Sequence, residues 1–217
     1  MKKIFLLVFT ILTLTTSLFS QNKEEAYTFK HNSLKINETS TKIIKEIESI
    51  ENITQAKEVV LTKLASPEDF KIVCEKLSWI TNLQVQIESL TDISEIKNLK
   101  SLEELSLRSI DASKENPINL EPLQKLKNLK IIDFYATKVT NTSALKGLTN
   151  LTNISFYMSS VSSIDFLSET PNVETLNLYG FGHTFENYEP VASLKKLKML
   201  DIYMNTQATD EKLTVLT

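Results

Sequence analysis

Residues 145–167 read LKGLTNLTNISFYMSSVSSIDFL, with apolar residues at Leu145, Leu148, Leu151, Ile154, Phe156, Val161, Ile164 and Leu167. The unit is L-x-x-L-x-L followed by a looser apolar series three residues apart. With its fourth and sixth positions as markers, the unit recurs at Val59/Leu61, Leu83/Val85, Leu105/Leu107, Ile132/Phe134, Ile154/Phe156, Leu176/Leu178 and Leu200/Ile202. The steps between them are 24, 22, 27, 22, 22 and 24 residues. A period in this range marks a solenoid. One such unit cannot bury its apolar side alone, so neighbours must stack into one continuous core.

Side chains along a strand alternate between faces. Leu105 and Leu107 therefore face inward, while Ser106 and Arg108 face out. The outward columns follow unit by unit. One runs Gln86, Arg108, Tyr135, Tyr157, Tyr179, Tyr203. Its neighbour runs Ile87, Ser109, Ala136, Met158, Gly180, Met204. On the other side lie Gln84, Ser106, Asp133, Ser155, Asn177 and Asp201. At about 4.8 Å per strand, four tyrosines span roughly 15 Å, a length suited to an anchor strip in a protein interface. Tyrosine combines large area with a polar tip and few rotors, and methionine supplies adaptable apolar contact. The competing reading is a ladder that only stabilises the sheet by aromatic packing.

The unit after Leu178 is longer, and residues 180–190 read GFGHTFENYEP. Insertions in repeats map to loops, often on a binding face. Phe181, His183, Phe185 and Tyr188 are therefore added to the candidate contact residues Arg108, Tyr135, Tyr157, Met158, Tyr179, Tyr203 and Met204. The alternative for Phe181 and Phe185 is that they turn inward and fill the wider unit. A second insertion, residues 111–116, is polar and reads as a solvated loop.

The recurring apolar positions resemble the leucine-rich repeat family, specifically its 22-residue bacterial subclass, which is similar to internalins. The resemblance covers about residues 56–217. It implies an α/β solenoid, a right-handed curved superhelix with short parallel strands on the concave face. It also implies binding of a protein partner through that face. The family usually has Asn three residues after the sixth-position apolar residue. Here that place holds Leu64, Glu88, Ile110, Thr137, Ser159, Phe181 and Asn205. Thr137 and Ser159 could partly replace an asparagine ladder, since hydroxyls bond nearby backbone.

The chain begins Met1-Lys2-Lys3, and an apolar run follows from Ile4 to Phe19. This reads as a signal peptide over residues 1–20, cleaved near Ser20/Gln21. The alternative is an uncleaved anchor, although Thr10, Thr13, Thr15 and Thr16 interrupt the run. Residues 21–55 are expected to form an N-terminal cap region. Ser40 or Thr41 would cap a helix carrying Ile43, Ile44, Ile47 and Ile50, and Ala26 to Lys30 could add a strand. At the other end, Leu213 and Leu216 match the phase of Leu145 and Leu148, and the chain stops at Thr217. That reads as a truncated repeat array, the alternative being an open edge that pairs with another chain.

A single cysteine, Cys74, excludes an intramolecular disulfide, and its helix-like neighbours Phe70, Val73 and Leu77 predict burial. Net charge is −3 with scattered basic residues, which argues against nucleic-acid binding. The Asn-x-Ser/Thr triplets at Asn37, Asn52, Asn141, Asn150 and Asn153 read as polar turns, the alternative being glycan acceptors in a eukaryotic secreted protein. The abundance of Lys, Asn and Ile is that of an AT-rich bacterial gene.

No catalytic constellation, metal site or cofactor is expected. His183 lies near Glu186 and Glu189, which is weak metal-site evidence. Asp133 and Asp201 stand three strands apart, about 14 Å, too far for a two-carboxylate glycosidase. The expectation is a secreted, periplasmic or surface protein that binds a protein ligand, with no membrane insertion after signal cleavage. The alternatives are a structural envelope repeat protein, or the targeting module of a larger secreted enzyme.

Overall fold

The computed structural model describes residues 27–36, 47–62, 67–87, 90–109 and 117–216. The signal segment, the start of the expected cap helix, the insertion at 111–116 and the ladder positions Leu64, Glu88 and Ile110 lie outside them. In chain order the strands are β1 (Tyr27–Lys30), β2 (Ser33–Ile36), β3 (Glu58–Leu61), β4 (Asn82–Gln86), β5 (Glu104–Arg108), β6 (Ile118–Asn119), β7 (Ile131–Tyr135), β8 (Val139–Thr140), β9 (Asn153–Tyr157), β10 (Thr175–Asn177) and β11 (Met199–Asp201). Nine of them form one sheet, ordered β1-β2-β3-β4-β5-β7-β9-β10-β11, and β6 pairs with β8 in a separate two-stranded sheet.

Strands β2 to β11 of the main sheet are parallel, and the marker residues pair with one another. Val59 is opposite Leu83, Leu83 opposite Leu105, Leu105 opposite Ile132, Ile132 opposite Ile154, Ile154 opposite Leu176, and Leu176 opposite Leu200. All six pairs from Val59/Leu61 to Leu176/Leu178 are buried. Leu200 and Ile202 are only half-buried, because no described strand lies beyond β11. The first unit therefore belongs to the array, and all seven stand in one register.

An eighth rung, not read in the sequence, precedes them. Leu34 and Ile36 of β2 are buried opposite Val59 and Leu61. A two-residue turn at His31 and Asn32, both at positive φ, folds β1 back antiparallel onto β2. Positive φ at both central residues is the hairpin geometry that asparagine tolerates best. Of the residues expected on a cap helix, Ile47 lies in a 3₁₀ turn (Ile47–Ser49) and Ile50 just after it, both buried.

The crossovers are mostly single 3₁₀ turns, at Ser94–Asn98, Glu121–Lys125, Thr142–Leu145 and Asp165–Glu169. Three of these begin with a side-chain turn in which Asp92, Asn119 or Ser163 accepts the N–H two residues on. The crossover from β3 to β4 instead carries α1 (Pro67–Lys76), that from β10 to β11 carries α2 (Glu189–Ala192), and α3 (Asp210–Leu213) follows β11. Phe70, Val73 and Cys74 of α1 are buried, as their spacing predicts. Burial pushes the Cys74 thiol far above its ordinary range, which makes it a packing group.

An asparagine ladder exists, at the turns that enter β7, β9 and β10. Asn128, Asn150 and Asn172 donate to the carbonyls of Lys100, Lys127 and Thr149 in the preceding unit, at 2.9, 2.9 and 2.7 Å. Lys196 takes the next place and donates to Asn172 Oδ1 at 2.6 Å. Thr137 and Ser159 form the hydroxyl counterpart at the strand exit. The Thr137 N–H donates to Ser159 Oγ, and the two hydroxyls are 3.1 Å apart. Ser159 has one proton, and it reaches the Phe134 carbonyl at 3.0 Å. Thr137 is therefore the donor between the two hydroxyls.

Candidate functional site

The strand register places Arg108 opposite Tyr135 and Tyr135 opposite Tyr157. Their side chains leave the concave face as one column. The rings of Tyr135 and Tyr157 are stacked, with centroids 5.6 Å apart and 9° between planes. Tyr157 and Tyr179 are closer, at 4.4 Å and 3°. Tyr203 continues the stack at 5.6 Å with a 34° tilt. The Arg108 guanidinium closes the upstream end, 5.5 Å from the Tyr135 ring centre and 3.3 Å from Asp133 Oδ2.

Stacking consumes the ring faces of Tyr157 and Tyr179. Those two rings present edges and hydroxyls to solvent and are half-buried, while Tyr203 is 68% exposed. The Tyr179 hydroxyl is pushed above its ordinary range, first by partial desolvation and then by Tyr157 beside it.

The residue after each tyrosine is in the left-handed region: Ala136 at φ 52°, Met158 at 54°, Gly180 at 126° and Met204 at 59°. Glycine is the residue such a position favours. Nevertheless Met158 and Met204 occupy two of the four, and both side chains are exposed. Met158 lies over Gly180, where an added Cβ would come within 3.0 Å of its backbone and 3.4 Å of its sulfur. The Tyr179 hydroxyl donates to Met204 Sδ at 2.8 Å. Tyrosines and methionines thus form one strip across the last four strands.

The long loop divides the remaining candidates. Phe181 is 58% exposed and extends the strip. His183, Phe185 and Tyr188 are buried, so their assignment as contact residues is corrected. The step from Leu176 to Leu200 is two residues longer than the 22-residue unit, and these rings fill the extra width. His183 packs on Phe185 at 5.6 Å, and Phe185 on Tyr188 at 5.3 Å. Gly182 permits this course, because a Cβ there would stand 2.8 Å from the Ser159 carbonyl oxygen.

Burial lowers the His183 pKa to about 4, so the ring is neutral at neutral pH. Its nitrogens lie near the Leu178 and Tyr179 carbonyls, outside good hydrogen-bond geometry. Burial also pushes the Tyr188 phenol up to about 12, partly offset by Asn205 beside it. Glu186 and Glu189 are exposed and do not converge on His183. Among the described residues no group of three or more His, Cys, Asp or Glu could hold a metal ion. Nor is any described helix long and apolar enough to cross a membrane.

No protein-family model matches the chain, and no curated protein does. Solved structures do. An internalin (inlF) from Listeria monocytogenes superposes with a TM-score of 0.58 at 20% identity, over 76% of this chain and 46% of its own. An internalin C2 (inlC2) from the same organism superposes with a TM-score of 0.55 at 20% identity, over 81% of this chain and 88% of its own. The chain thus spans about half of the first structure and most of the second. The fold is a leucine-rich repeat solenoid of the internalin kind.

Proposed function

We propose that this chain is a secreted or cell-surface recognition module that binds a protein partner through the concave face of its last four repeats. The observation that carries this reading is the pair Met158 and Met204. Both put large exposed apolar side chains at left-handed backbone positions, where the fold itself favours glycine. Such a position costs on the order of 1 kcal/mol for a non-glycine residue. A sheet-stabilising tyrosine ladder would not require them.

The surroundings support a protein ligand over a sugar. Sugar recognition by stacking needs free ring faces, and those of Tyr157 and Tyr179 are covered by each other. What remains is a row of ring edges, hydroxyls, thioethers and the amide of Asn177, with Phe181 at its margin. Rigid aromatic groups with polar tips are the anchors protein interfaces favour. Secretion rests on the lysine-led apolar segment at the start of the sequence.

A photo-cross-linking residue in place of Met158 tests the reading. Exposed to the extracellular or envelope fraction of the source cell, it should give a discrete protein adduct. The same residue in place of the convex Gln124 should not. Equal adducts at both positions would contradict the assignment of the face.

A further inference from the structure

Within the aromatic column, one pair of rings is held more tightly than the others. The Tyr157 and Tyr179 centroids stand 4.4 Å apart with 3° between planes, whereas Tyr135 and Tyr157, and likewise Tyr179 and Tyr203, stand 5.6 Å apart. The strands beneath, β9 and β10, are parallel and in register, so the two rings leave the sheet in the same direction. Their hydroxyls are neighbours as well: besides partial desolvation, Tyr157 pushes the Tyr179 hydroxyl up. Both side chains are half-buried and keep their hydroxyl edges in solvent. The chain's single cysteine, Cys74, is buried and free, so no disulfide ties one repeat to the next.

Two phenols held face to face at an accessible edge have the reactant geometry for oxidative coupling. We propose that Tyr157 and Tyr179 form a modification site, at which hydrogen peroxide and a haem peroxidase join β9 to β10 through a dityrosine bond. Each phenol loses one electron and one proton, giving a phenoxyl radical whose spin lies partly on the Cε carbons beside the oxygen. One Cε of each ring pairs its electron with the other, forming a carbon–carbon bond. The hydrogen on each joined carbon then leaves as a proton while the phenolic oxygen takes one up, and both rings regain aromaticity. In total two electrons and two protons leave the pair, and one hydrogen peroxide accepts them to become two waters.

Proximity selects the pair. Coupling between groups already in contact is unimolecular, so it outruns encounter between dilute chains. Tyr188 is buried and does not compete. The bond would staple consecutive repeats across the concave face, and its formation does not depend on what that face binds.

The test is to treat the dilute chain with a haem peroxidase and hydrogen peroxide, then to follow dityrosine fluorescence and map the joined peptides by mass spectrometry. The expected product is a monomer in which the peptides carrying Tyr157 and Tyr179 are joined with loss of two hydrogen atoms, in a yield independent of protein concentration. Tyr157→Phe and Tyr179→Phe keep the ring stack and should each lose most of the intramolecular fluorescence. Tyr135→Phe should retain it, and unfolding the chain in urea before oxidation should abolish the selectivity. Circular dichroism first establishes that the variants are folded. A monomer without dityrosine, a main product linking another pair of tyrosines or separate chains, or full intramolecular fluorescence in both Tyr157→Phe and Tyr179→Phe would overturn the proposal.

Discussion

Tyr157 and Tyr179 lie face to face, 4.4 Å between centroids and 3° between planes. Two residues on separate turns of a solenoid meet this closely because the strand beneath them is in register, Ile154 opposite Leu176. The buried and exposed positions of these neighbouring strands should therefore respond differently to truncation. Leu176→Ala opens a cavity in the fully buried line and should cost about 2–5 kcal/mol. Tyr157→Ala loses half-exposed stacking and should cost about 1 kcal/mol. Urea denaturation of the two variants measures both, and equal losses would contradict the assignment of faces.

His183 makes stability depend on pH. Its folded pKa is about 4, below the ordinary value of 6.5. Between those values the unfolded chain binds a proton that the folded chain does not. Stability is therefore fully present above pH 6.5 and falls as the pH drops toward 4, by up to about 3 kcal/mol. The difference in stability between wild type and His183→Asn, followed from pH 7.5 to 4, isolates this contribution. A pH-independent difference would place the imidazole in water.

The hydroxyl pair at the strand exit should behave as a buried ladder. Ser159→Ala removes the acceptor of the Thr137 N–H and leaves that donor buried, at a cost of about 1–3 kcal/mol. Thr137→Ala leaves Ser159 bonded to the Phe134 carbonyl and should cost less. Thermal or urea unfolding of both variants checks the order, and its reversal would contradict the donor assignment.

Gly182 is needed for room. A methyl group there would meet the Ser159 carbonyl oxygen at 2.8 Å, so Gly182→Ala should destabilise by about 1–3 kcal/mol and disturb the loop that carries Phe181. Unfolding measurements and amide shifts of residues 158–160 would report it. Wild-type stability would mean that the loop stands clear of Ser159.

The repeat was legible because burial in a solenoid obeys a period, and every marker pair follows it. The tyrosine column was legible for the same reason, since register carries the outward face as faithfully as the inward one. Three features were not. Leu34 and Ile36 form a rung with only two apolar residues and no upstream unit to set their phase, and they depend on the turn at His31 and Asn32. His183, Phe185 and Tyr188 sit where two extra residues break the period, so the sequence could not give their direction. The width those residues add to the unit is the signal that points inward. The asparagine ladder was sought at the strand exit, whereas Asn128, Asn150 and Asn172 each stand directly before an apolar residue at the strand entry, a recurrence visible once the units are aligned.

The central claim is that the concave strip holds a protein partner. The most direct measurement compares capture from the extracellular and envelope fractions by three forms: the native chain, a form with Tyr135, Tyr157, Tyr179 and Tyr203 all changed to Ala, and a convex control with Lys97 and Lys125 changed to Ala. Circular dichroism first establishes that all three are folded. A protein retained by the native chain and the convex control, and lost by the tyrosine variant, is the predicted result. The same retained set for all three forms would contradict it.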